Sequence, residues 1–131
     1  PRHLAQVGTS LALLLAIAFN GVIVGAKAYR AVRVELQVAA LRDVLPADAV
    51  LWSFGAAHHR FVYWYDRVIP ITELPETADE LPPELDYFAL TIWSGPTPEL
   101  AFAWEPIATI NLDRKESDSP GVRVVIGRRK R

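Results

Sequence analysis

The order of apolar and polar positions divides the chain before any motif is considered. From Leu4 to Ala26 there are 23 residues without a charge, and Leu11 to Phe19 is unbroken Leu, Ala, Ile and Phe. As a helix, such a run reaches about 34 Å, enough to cross a hydrocarbon core of about 30 Å. Gln6, Thr9, Ser10 and Asn20 are its strongly polar interruptions, and the Asn20 amide is of a kind that bonds a neighbouring helix. Gly21 and Gly25 form a Gly-x-x-x-Gly pair, read here as ordinary small residues of a membrane span. A cleavable secretory signal is the competing reading, with Arg2 and His3 as a thin basic start and Val24-Gly25-Ala26 as a small-residue cleavage site. The apolar stretch exceeds the roughly 7–15 residues of a signal core, which favours a retained span.

The helical pattern continues beyond the apolar run. Residues 26–45 hold no Gly or Pro and many good helix formers, and Pro46 ends the segment. Tyr29, Val32, Leu36 and Ala40 fall on one stripe, and Val34, Val38, Leu41 and Leu45 on another, so the helix is expected to change partners along its length. Lys27, Arg30 and Arg33 lie beside the first stripe and are expected to anchor the helix at the membrane interface.

Residues 46–131 change period and read as a small soluble domain. Ala49 to Phe54, closed by Gly55, predicts a buried strand; Phe61 to Tyr65 fits either one helical turn or a strand. Val68-Ile69-Pro70-Ile71 predicts a short extended piece, with Pro70 suited to a sheet edge. Residues 73–86 carry six acids, no base and three prolines, and predict a solvated turn-and-helix connection. Tyr87 to Trp93 is the best strand, Phe102 to Leu112 a strand interrupted at Pro106, and Gly121 to Gly127 the last strand. Asp113 to Pro120 predicts a polar hairpin loop. The expected fold class is therefore α/β: a transmembrane helix over 1–26, an amphipathic helix over 27–45, and a small domain over 46–131 with a mixed sheet.

Composition narrows the partners. With 14 Lys and Arg against 15 Asp and Glu, the net charge of −1 argues against a nucleic-acid binder. No Cys is present, which excludes a disulfide framework and thiolate metal sites. Met is absent even at position 1, so the chain is expected to be part of something longer, or processed. No phosphate loop, dinucleotide fingerprint, nucleophile elbow or zinc-protease motif occurs, and no cofactor or metal is expected.

One polar constellation stands out: Ala57-His58-His59-Arg60, directly after the first strand, with Tyr63 and Tyr65 behind it. Loops after the carboxyl ends of strands are where α/β sheets hold ligands. Two imidazoles, a guanidinium and phenols suit a sugar or a phosphate, while a structural loop with a His capping the next turn is the competing reading. The basic tail, Arg128-Arg129-Lys130-Arg131, is read as a solvated end, with contact to anionic head groups as its alternative.

A span, then Leu-Arg-Asp-Val-Leu-Pro-Ala-Asp-Ala-Val, then a strand running into Trp-Ser-Phe-Gly-Ala-Ala-His-His-Arg-Phe-Val-Tyr-Trp-Tyr, resembles one known arrangement. It is similar to the C-terminal end of polytopic glycosyltransferases that use polyprenyl-phosphate sugars, the aminoarabinose-transferase-like and protein-mannosyltransferase-like enzymes. The resemblance covers the chain in order through loose motifs. It implies upstream transmembrane helices, a lipid bilayer and a polyprenyl-phosphate-linked sugar as partners, and a small extracytoplasmic domain capping the substrate cavity. The family's catalytic carboxylate lies in an early loop to which no position here corresponds, so no catalytic residue carries over. Residues 58–65 would be the part facing the cavity. Lys27, Arg30 and Arg33 after the span, against Arg2 before it, taken alone favour a cytoplasmic domain. Three readings stay open: the end of a membrane glycosyltransferase, a single-pass anchored α/β binding module, and a cleaved secreted domain.

Overall fold

The computed structural model describes residues 2–112 and 121–131; the side chains of 2–6 and 30–32, Arg30 among them, and the loop expected over 113–120 lie outside the described residues. Helix α1 spans Arg2–Val44 and is followed by β1 (Leu51–Phe54), α2 (His59–Tyr65), β2 (Ile71–Thr72), a 3-10 turn (Ala78–Glu80), β3 (Tyr87–Ile92), β4 (Trp104–Asn111) and β5 (Arg123–Arg129). The chain divides into two compact units, Pro1–Arg33 and Val34–Arg131.

The first unit is the apolar part of α1. Among the described residues one helix is long and apolar enough to cross a membrane; its most apolar 18-residue stretch has a mean hydropathy of 2.2 and none of it is buried. Asn20 meets its polar need locally, its Nδ2 donating to the Ala16 carbonyl at 2.8 Å. This internal bond lowers the cost of placing an amide in hydrocarbon. Lys27 and Arg33 are exposed.

The second unit begins at Val34, twelve residues ahead of the boundary expected at 46, because the second stripe of the helix belongs to its core. Val34, Val38, Leu41 and Leu45 are all buried, whereas Tyr29, Leu36 and Ala40 of the first stripe are exposed. The helix closes with Leu45 N–H donating to Leu41 O, and Pro46 cannot continue it.

The five strands form one mixed sheet in the order β2-β1-β3-β5-β4. β1 runs parallel to both β2 and β3, while β5 lies antiparallel between β3 and β4. Side chains alternate strictly along β3: Tyr87 and Ala89 meet a first core with the α1 stripe, Phe61 and Tyr65, and Phe88, Leu90 and Ile92 meet a second core with Leu81, Leu85 and Phe102. Both faces of the sheet are thus covered, which is why its central strands read as nearly continuous apolar runs.

β4 needs a correction of phase to serve both cores. Its register on β5 shifts between Pro106 and Ala108, leaving Ile107 as an extra residue. Trp104 accordingly packs in the second core while Ala108 and Ile110 pack in the first, although all three are even-numbered. The interruption expected at Pro106 is this bulge, on an edge strand where a missing N–H costs least. At the far end of the same edge, Gln37 of α1 imitates a strand. Its Oε1 accepts from Asn111 N at 2.9 Å and its Nε2 donates to Asn111 O at 3.5 Å.

Gly127 on β5 is fixed by close approach. A Cβ there would collide with the Phe88 ring, Cζ first, and lie 2.8 Å from Trp104 Cε3. Gly127→Ala is expected to destabilise the fold by about 1–3 kcal/mol through overpacking, measured by denaturant unfolding of the full chain; an unchanged midpoint would mean that these rings give way freely.

Candidate functional site

The strand order sets the place where doubly wound sheets have their crevice. From β1 the chain crosses through α2 to β2 on one side, then returns past β1 to β3 on the other. The two crossings use opposite faces: α2 places Phe61 and Tyr65 in the first core, and the 73–86 connection places Leu81 and Leu85 in the second. Between β1 and β3 the direction of winding reverses, and the carboxyl ends of two such parallel strands are where doubly wound sheets hold ligands.

Two loops border this crevice. The loop after β1 bends at Gly55 (φ +70°) and the loop after β3 at Gly95 (φ +80°), and a Cβ on either glycine would meet open space. Only a glycine adopts such angles without strain. The loop after β1 is tied to β3 by the His58 backbone N–H, which donates to Thr91 Oγ1 at 3.2 Å.

The expected site residues separate into three groups. His58, His59 and Arg60 come together at the mouth of the crevice. His58 caps α2, its Nδ1 accepting from Arg60 N at 3.2 Å, so the local capping role weighed for this loop is present. His59, exposed, stacks on His58 with ring centroids 4.3 Å apart. Arg60 is exposed and reaches Leu112 O through Nη1 at 3.4 Å.

Tyr63 stands four residues after His59 on the same helical face. It is exposed, meets Trp64 edge-on, and lines a shallow hollow of about 440 Å³ with Glu35, Ala39, Arg42, Trp64 and Asp66. Tyr65 is placed differently from expectation: it is buried in the first core, stacked on Phe61 at 5.4 Å, and presents no surface to a substrate. Phe61 and Tyr65 are four residues apart, so both fall on the face that α2 turns to the sheet. Arg42 fixes the end of this helix, its Nη2 donating to Trp64 O and Tyr65 O at 2.8 and 2.6 Å, which satisfies carbonyls that a helix terminus leaves open.

Sequence reasoning missed two residues at the crevice. Trp93, read only as the end of a strand, is 63% exposed and leans on His58 at 5.4 Å. Arg123, read only as part of the last strand, is buried, pairs opposite Ile92, and donates through Nη2 to Gly95 O at 2.8 Å; its buried Nη1 has no partner. Neither could be placed without the β1-β3-β5 order, because both come from strands distant in sequence from the His pair.

The basic tail is held by acids. Arg128 pairs with Glu105, Lys130 lies 3.8 Å from the same carboxylate, and Arg131 donates to Asp86 Oδ1 at 2.8 Å. The Glu105 contact raises the Arg128 pKa above its ordinary value. Among the described residues no three His, Asp or Glu side chains gather in a way that could hold a metal ion. Compared with known proteins, the chain matches no family model, and neither a curated protein nor a solved structure shows significant similarity to it.

Burial pushes the Tyr65 phenol above its ordinary pKa of 10.0, against smaller lowering effects of Arg67 and Arg42. The folded state then holds this proton more tightly than the unfolded state. Its contribution to stability is full below about pH 10 and declines as pH rises from there towards the folded pKa. Tyr65→Phe should leave neutral stability nearly unchanged and flatten the loss above pH 10, measured by chemical unfolding from pH 8 to 11; an identical alkaline slope in the variant would place the titration elsewhere.

Proposed function

We propose that this chain is the C-terminal end of an integral-membrane glycosyltransferase that uses a polyprenyl-phosphate sugar, its α/β domain forming an extracytoplasmic cap over the substrate cavity. The observation that supports this most is the polar corner of His58, His59 and Arg60 at the winding reversal of a sheet, in a chain that also carries a helix apolar enough to span the bilayer. Upstream transmembrane helices would supply the catalytic carboxylate. Within this domain the work is positioning. A guanidinium has five N–H donors, so the single Arg60 bond to Leu112 O leaves donors for a phosphate oxygen. Tyr63 and His59 share a helical face from which to meet a sugar or its lipid carrier. No proton need move at these groups.

A second reading keeps a specific observation in its favour. Lys27 and Arg33 are exposed just beyond the apolar run, and basic residues favour the cytoplasmic side. This suits a single-pass module that binds a ligand or a protein from the cytoplasm.

The two are separated in the intact protein. Arg60→Ala should raise the donor KM about tenfold or more, the worth of a charge-assisted hydrogen bond, with normal folding. His58→Ala should also cost about 1 kcal/mol of stability by removing a cap, and His58→Asn, which can cap α2, should restore that stability. Wild-type transfer rates in the His58→Asn, Arg60→Ala double variant would remove the corner from the substrate path. A reporter after Arg131 active only in the cytoplasm would favour the second reading.

A further inference from the structure

The function proposed above uses residues on α2, but the crevice has a second wall that it leaves unassigned. Trp93, the residue that follows β3, is 63% exposed. It is not an isolated apolar residue: its ring leans on His58 at 5.4 Å, and His58 in turn stacks on His59 at 4.3 Å. The three rings run from the residue after β3 to the start of α2, beside the bond from His58 N–H to Thr91 Oγ1. Beside them, both loop glycines face open space. An exposed indole tilted against a stacked pair of imidazoles suits a ligand with one apolar face and polar groups around its rim.

A pyranose ring has that form. Its axial C–H groups can lie on an indole face, whose electron-rich surface attracts partial positive charge, while its hydroxyls reach the exposed His59 imidazole. We propose that Trp93, with the stacked His58 and His59, is a carbohydrate-binding platform on which a pyranose ring stacks, the choice of a sugar resting on the glycosyltransferase reading. Trp93 supplies the stacking face and His59, exposed at the end of the stack, a hydrogen bond to the rim. His58 is a positioning residue: its cap on α2 and its backbone bond to Thr91 hold the other two in place.

Other ligand classes fit less well. An anion alone would meet the donors that Arg60 keeps beyond its one bond to Leu112 O, but it would leave the exposed Trp93 ring without a role. A hollow between α1 and α2 has the acids Glu35 and Asp66 in its lining, which disfavours an anion there.

The test uses the full chain in phosphatidylcholine nanodiscs, prepared without glycosidic detergents, and follows the four indole N–H signals by NMR. Trp93→Phe assigns the relevant signal by its disappearance. Methyl pyranosides should shift the Trp93 signal in a saturable way and leave those of Trp52, Trp64 and Trp104 in place. Trp93→Ala should weaken the sugar affinity, read from the His59 ring protons, by about tenfold or more, with His59→Ala giving a smaller loss. Folding of each variant is checked by the unchanged signals of buried methyl groups. Absence of any saturable shift, or an equal shift on adding inorganic phosphate alone, would overturn the platform. So would sugar affinity unchanged in Trp93→Ala. Failure of the wider reading looks different: pyranosides bind at Trp93 but the intact protein transfers no sugar. Transfer that persists unaltered without any sugar response at Trp93 removes the platform alone.

Discussion

The fold depends on the burial of one stripe of a helix against a sheet. Val34, Val38, Leu41 and Leu45 repeat at spacings of three and four, are all buried, and form the first core with Leu51, Ala89, Val124 and Ile126 from the sheet. Without them the sheet would have one bare apolar face, since α2 contributes only Phe61 and Tyr65 to the buried part of that core. A two-sided apolar sheet of five strands cannot stand in water with one side open. The segment that the apolar run leads into is therefore part of the domain's interior. One secondary-structure element meets two different surroundings: residues up to Arg33 lie in one unit, and residues from Val34 in the other.

Covering both faces is also what produces the site. A chain that goes from β1 to β2 over one face and back to β3 over the other must leave a gap between the β1 and β3 loops at their carboxyl ends. His58 occupies that gap because it follows a left-handed glycine and starts α2, whose first turn it caps. Trp93 occupies it because β3 ends there. The same order brings Arg123 beneath Gly95, where a guanidinium is sealed from water with one Nη unpaired. Polar and aromatic groups collect at this end of the sheet, while the opposite end is closed by the pairing of Arg131 with Asp86.

Much of this was legible along the chain, and the failures have physical causes. The strand positions, the helix ending at Pro46 and the break at Pro106 follow from period and from what proline removes. The two helical stripes were visible as such, but their partners were not: a stripe shows that a face is buried, not what buries it. The domain boundary expected at 46 followed the change of period, whereas the compact unit follows the packing and starts at Val34. The sequence groups Tyr65 with Tyr63, since both are phenols close to the His pair. On a helix, residues two apart point to different sides, which sends one into the core and leaves the other exposed. Trp93 and Arg123 carry no such signal in the sequence, because a residue at a strand end acquires meaning only from its neighbours in the sheet. The tail looked free for the same reason, as Glu105 and Asp86 reach it through β4 and the end of the acidic connection.

The central claim is that residues 34–45 are energetically part of the α/β domain and not of the apolar helix that precedes them. Amide hydrogen exchange on the full chain in nanodiscs tests it directly, comparing wild type with Leu41→Ala, a core truncation expected to cost about 2–5 kcal/mol. The account predicts that amides of 34–45 lose protection together with those of β1, β3 and β5, while amides of 7–26 keep theirs. Protection of 34–45 that stays with residues 7–26 while the sheet opens alone would contradict it.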